Sequence, residues 1–166
     1  MNDQLTPLLR VRDLQVGFDL PGGELLAVDK VSFQVRAGST VALVGESGSG
    51  KSVVSQAIMG LLPPIAEIRK GSILFAEDRK KGTITDIARL NRNGKAMRQI
   101  RGGQISLIFQ EPMTSLSPLH TVGNQIREAL ELHRAVSGRE AAEPTADMLR
   151  MGGVPAPARV LRAPPV

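Results

Sequence analysis

Apolar residues recur at strand spacing near the start of the chain: Leu9 and Val11, then Leu14, Val16 and Phe18, read as one strand, and Leu26, Val28, Val31, Phe33 and Val35 as a second. Pro21-Gly22-Gly23 between them supplies a turn, so the pair predicts an antiparallel hairpin. Residues 40–44 (Thr-Val-Ala-Leu-Val) form a short continuous apolar run, the pattern of a strand buried on both faces, and Gly45 closes it. From Lys51 the apolar positions Val54, Ala57, Ile58 and Leu61 return at helical spacing until Pro63-Pro64 stops them. The middle of the chain therefore reads strand, glycine loop, helix.

Further on, a strand is expected to start at Gly71 and run through Ile73-Leu74-Phe75-Ala76, and another over 105–109. Residues 77–103 carry no clear period. Thr121 opens a helix with Val122, Ile126, Ala129, Leu130 and His133 on one face. Ser137 and Glu140 have capping-box spacing for a further helix, but Pro144 falls inside it and is expected to shorten or damage it. Residues 151–166, rich in Gly and Pro, read as an irregular or disordered tail. There is no internal repeat.

Composition narrows the chemistry. The 166 residues suit one domain or most of one, and 42% hydrophobic content is ordinary for a globular chain. With no Cys and two His, disulfide scaffolds, thiolate zinc sites and Cys nucleophiles are excluded. No apolar run approaches the ~20 residues that span a bilayer, and the first nine residues lack the pattern of a secretory signal. A cytoplasmic location without membrane insertion is the expectation. Net charge is +5, and basic residues gather between Arg69 and Arg101. Acidic residues dilute them, and four Phe with no Tyr or Trp provide no stacking platform. A solvated basic face is preferred to a nucleic-acid groove.

The strongest local signal is Gly45-Glu46-Ser47-Gly48-Ser49-Gly50-Lys51-Ser52, which matches G-x-x-x-x-G-K-[ST] between a predicted strand and a predicted helix. Glycines let successive backbone N–H groups converge on phosphates. Lys51 can reach the β- and γ-phosphates, Ser52 offers a hydroxyl to Mg²⁺, and the helix start adds partial positive charge. A glycine turn that binds nothing is the alternative. A small GTPase is disfavoured, since the one D-x-x-G (Asp19 to Gly22) lies upstream of the loop and N-K-x-D is absent. The run from Ile73 to Glu77-Asp78 imitates an acidic Walker B strand, but a half-buried strand ending in a turn is the preferred reading.

These blocks, with Gly71-Ser72-Ile73 and the run Ile108-Phe109-Gln110-Glu111-Pro112-Met113-Thr114-Ser115-Leu116-Ser117-Pro118, resemble the ATP-binding subunits of ABC transporters that import oligopeptides, dipeptides, glutathione and related solutes. The resemblance spans roughly residues 8–162. It implies an α/β P-loop NTPase of ABC type binding ATP and Mg²⁺ through Gly45, Glu46, Ser47, Gly48, Ser49, Gly50, Lys51, Ser52 and Val53. It places Phe18 on the adenine, although from the residues alone Phe18 reads as readily as a core aromatic of the hairpin. Gln110 falls at the Q-loop, which reaches Mg²⁺ and the attacking water.

The family continues with a Leu-Ser-Gly-Gly-Gln signature, a Walker B strand ending in Asp-Glu, a D-loop and a switch His, none of which occurs in these 166 residues. The expectation is an incomplete, amino-terminal domain: an antiparallel layer (8–36), P-loop core (40–62), strands to the Q-loop (71–110), part of a helical subdomain (111–150) and the tail. By resemblance, its partners are membrane-spanning subunits and a second ATP-binding subunit, with a peripheral position on the inner face of the cell membrane. Whether it acts as an enzyme stays open, and ATP hydrolysis by the chain alone is not expected. The alternative is a non-catalytic nucleotide-binding or interaction module.

Overall fold

The computed structural model describes residues 7–78, 82–110, 116–133 and 142–165. It divides into two compact units, Met1–Ile105 and Ser106–Val166.

In the first unit the predicted hairpin forms from β1 (Leu9–Leu20) and β2 (Gly23–Val35). β3 (Ala66–Asp78) pairs with the other edge of β1, and β4 (Thr83–Asp86) with β3, giving an antiparallel sheet of order β2-β1-β3-β4. The register of β1 slips between Val11 and Leu14, so an odd-numbered and an even-numbered residue both turn inward. Those two join Val16, Val28, Ile73 and Phe75 in the core. Val54 and Ala57 of α1 (Lys51–Ile58), Ile87, and Met97 and Ile100 of α2 (Lys95–Ile100) complete it. Burying each large aliphatic side chain contributes about 1.5–3 kcal/mol.

Gly71 lies inside β3 rather than at its start, which corrects the expected boundary. The cause is the irregularity in β1, where Asp13 has φ 47°. Gly71 faces it with φ 95°, and a Cβ there would come within 2.5 Å of the Arg12 carbonyl oxygen. The unreadable stretch 77–103 holds β4, a 3₁₀ turn at Ile87–Arg89 and α2. Asp86 organises it: its Oδ1 accepts from Ala88 N at 3.2 Å and from Ile73 N at 3.0 Å. Arg101 then donates to the carbonyls of Met59 (3.0 Å), Gly60 (3.1 Å) and Arg92 (3.1 Å), satisfying acceptors at the end of α1.

Two expected strands do not form. Residues 40–44 have no ladder partner among the described residues, and Val44 is 92% exposed. Among the described residues, the one strand-type pairing of 105–109 is the isolated bridge of Ile105 to Arg101, and Ile108 is 92% exposed. A strand exists through its ladder, so apolar composition without a neighbouring strand leaves extended, solvated chain.

The second unit holds α3 (Val122–His133), α4 (Ala142–Met151) and the short α5 (Pro157–Val160). The helix opens after Thr121 as expected, and the Thr121 hydroxyl accepts from Asn124 N at 3.3 Å. Of the predicted apolar face only Leu130 is fully buried, and Ala129 and His133 are exposed. The capping-box residues Ser137 and Glu140 lie outside the described residues. Pro144 falls in the first turn of α4, where its missing N–H costs no helical bond, so the helix runs on undamaged. The tail is not irregular throughout: besides α5, Ala163 and Leu161 accept from Val122 N (3.0 Å) and Gly123 N (3.1 Å). The unpaired donors that open α3 order it.

Gly71→Ala is expected to lower unfolding free energy by at least about 2 kcal/mol, through positive-φ strain and the clash with β1. Gly22→Ala, in open space, should stay within about 0.5 kcal/mol of the unchanged chain. Urea midpoints of the two variants test the contrast.

Candidate functional site

The glycine loop leads directly into α1. Gly48 (φ 82°) and Gly50 (φ 86°) adopt the left-handed region, and a Cβ on Gly50 would sit 2.5 Å from the carbonyl oxygen of Ala27 in β2. Glycine at this position lets the loop lie against the sheet. The helix opens without a side-chain cap or an acidic residue in its first turn, and Val54 N to Gly50 O (3.0 Å) is its first hydrogen bond. The N–H groups of residues 51–53 therefore precede any intrahelical acceptor, at the positive end of the helix dipole. An anion fits that arrangement.

Lys51 folds over the loop. Its Nζ donates to the carbonyls of Gly45 (2.8 Å) and Glu46 (2.5 Å) and to Ser49 Oγ (3.2 Å), using all three ammonium donors. Ser49 N bonds back to the Glu46 carbonyl at 3.2 Å and closes a turn beneath it. The positive charge thus stands at the loop already, held by neutral acceptors that a phosphate can replace.

Beside the loop is a cleft of about 270 Å³ lined by Phe18, Leu25 and Ala27 on one side and residues 48–53 on the other. Phe18, half-buried, packs against the core and also lines this cleft. Leu25 and Ala27 were not singled out by sequence. Leu25 is 54% exposed opposite Phe18 in the hairpin ladder, and an apolar pair beside the turn was the available signal.

Gly48, Ser49, Gly50, Lys51, Ser52 and Val53 are thus brought together with Phe18, while Gly45 and Glu46 hold Lys51 and Ser47 stands exposed. Gln110 is exposed in the second unit. Its neighbours 111–115 lie outside the described residues. Glu77 is exposed and does not line the cleft, and β3 runs through Asp78, which pairs with Thr83, so Glu77-Asp78 close the strand rather than form its turn. No group of three or more His, Cys, Asp or Glu among the described residues could hold a metal. A magnesium ion fits the site as a partner of phosphate oxygens and water with the exposed Ser52 hydroxyl.

Several members of the basic stretch have partners within the fold. Arg69 is bound by Asp19, Glu24 and Glu67, Arg89 by Asp86, and Arg92 and Arg101 by backbone carbonyls. Arg79, Lys80 and Lys81 lie outside the described residues.

Residues 28–162 match the ABC transporter family. The peptidoglycan transport ATP-binding protein YejF of Agrobacterium fabrum is 50% identical over 160 residues, 96% of this chain and 28% of that protein. The dipeptide transport ATP-binding protein DppD of Bacillus subtilis is 46% identical, over 95% of this chain and 45% of its own length. The chain therefore spans less than half the length of these curated relatives. In fold it is similar to the ATP-binding cassette MJ0796, solved as a dimer in a post-hydrolysis state with ADP and Pi, at TM-score 0.75 and 21% identity over 95% of this chain and 61% of that one.

Gly50→Ala is expected to weaken binding of Mg·tripolyphosphate at least tenfold, because the added Cβ forces the loop off β2. Gly48→Ala meets open space and carries only backbone strain, so its loss should be smaller. Calorimetric titration of both variants tests the order.

Proposed function

The chain belongs to the ABC transporter family, and on that premise we propose that it binds Mg·ATP as part of a component that energises import of peptides or related solutes. The observation that carries this reading is the convergence of Lys51, the free helix donors and Phe18 on one cleft. The triphosphate takes the loop and the start of α1, with Lys51 exchanging its carbonyl partners for the β- and γ-phosphate oxygens. The base takes the apolar side, against Phe18 and Leu25. Bound magnesium supplies charge neutralisation on the phosphates, and Ser52 is the residue that would hold it. Gln110 is assigned by resemblance to the γ-phosphate side.

The names of the relatives support peptide-type solutes, and the family supports membrane-spanning subunits and a second ATP-binding subunit as partners, at the inner face of the cell membrane. Among the described residues no helix is long and apolar enough to cross a membrane. Hydrolysis by this chain alone is not part of the proposal. Among the described residues, none that lines the cleft is a carboxylate able to orient an attacking water.

Lys51→Ala should weaken Mg·ATP binding by at least tenfold, about 1.4 kcal/mol, in calorimetric titration. Equal affinities would overturn the reading. Phosphate release should be the same for the unchanged chain and Lys51→Ala, and turnover abolished by the substitution would show a complete active site.

A further inference from the structure

We propose that Arg69 is a positioning residue for the base side of the cleft, fixing the end of the β1–β2 hairpin so that Phe18 and Leu25 form its apolar wall. This rests on the reading of the cleft as a nucleotide site. Arg69 Nε donates to Glu24 Oε1 at 2.7 Å and Nη1 to Glu67 Oε2 at 3.1 Å, while Nη2 binds Asp19. One planar guanidinium therefore joins carboxylates from all three strands that surround the hairpin end. Asp19 faces Glu24 in the ladder and Phe18 faces Leu25. Successive residues of a strand point to opposite sides, which puts the ionic clamp on one face and the apolar wall on the other.

Gly17 makes the clamp possible. A Cβ there would lie 2.4 Å from Glu24 Oε1 and 3.0 Å from Arg69 Nε, so the ion pair crosses the β1 backbone immediately before Phe18. The hydrogen bond to Glu24, with the charges of Asp19 and Glu67, raises the Arg69 pKa above its ordinary value against the opposing effect of burial, and the cation persists. All three carboxylates are more than half exposed, so the cluster adds little to global stability. Its rigid fork contributes orientation instead.

Because the clamp acts on the hairpin end and not on the loop, its loss should separate two ligands. Titration of Mg·ATP into Arg69→Met should show affinity reduced roughly three- to tenfold, the range of one aromatic packing interaction, while Mg·tripolyphosphate changes less than about twofold. Gly17→Ala, which displaces the pair without removing a charge, should give the same ATP-selective loss. Adding Arg69→Met to Phe18→Ala should weaken ATP no further than Phe18→Ala alone. Equal losses for both ligands, full additivity with Phe18→Ala, or unchanged ATP affinity would each overturn the proposal. If ATP binding depends on Lys51 but not on Arg69, this inference alone fails. If the unchanged chain binds tripolyphosphate as tightly as ATP and Phe18→Ala has no effect, the base-side reading of the cleft fails with it.

Discussion

The approach of Gly50 to the carbonyl of Ala27 is the contact on which the site depends. Positive φ and a forbidden Cβ coincide at this residue, so the loop can leave β2 at contact distance only with glycine there. Everything downstream inherits that placement. α1 starts from Gly50, drops Val54 and Ala57 into the core beside Val28, and thereby places its first residues across the cleft from Phe18 and Leu25 of the hairpin. The antiparallel hairpin is both the support of the loop and the wall of the cleft.

The exit side of the loop is therefore held by packing, and the entry side is not. Residues 40–44 run into Gly45 without a ladder among the described residues, with Val41 and Leu43 each 42% exposed. What ties entry to exit is Lys51, whose ammonium reaches back from the first turn of α1 to the carbonyls of Gly45 and Glu46. The residue poised to meet phosphate also braces the loop. Phosphates that draw the ammonium away must supply equivalent ties themselves, which the backbone donors of the loop allow. The apolar residues of 40–44 and 105–109 meanwhile stand in conflict with their surroundings, since composition suited to a doubly covered strand is left in water. Unpaired extended segments of this kind are templates for pairing with another chain.

Local rules were legible where local physics decides. The hairpin, the glycine loop with its helix, and the helix opening after Thr121 followed from alternation, spacing and caps. The bulge in β1, the position of Gly71 within β3 and the small elements of 77–103 were not, because each is set by a neighbour distant in sequence. Asp86 binds Ile73, and Arg101 binds the end of α1. Strand formation at 40–44 and 105–109 was over-read for the same reason: an apolar run reports the environment a strand prefers, not the presence of a partner. In the candidate site, the motif residues 48–53 do come together along one side of the cleft. The apolar wall was visible only as Phe18, since Leu25 and Ala27 become neighbours of the loop through the fold.

The composition of the cleft sorts into a polar side and an apolar side. Its polar contributors are Lys51, Ser52, Ser49 and backbone donors, all of which act on phosphate oxygens already present in the ground state. Groups of this kind stabilise charge on a bound phosphate and on a phosphoryl group in transfer. Among the described residues, none that lines the cleft is a carboxylate. The proposed nucleotide site is thus preorganised on its loop side by Gly50 and Lys51 and on its apolar side by the hairpin that carries Phe18 and Leu25.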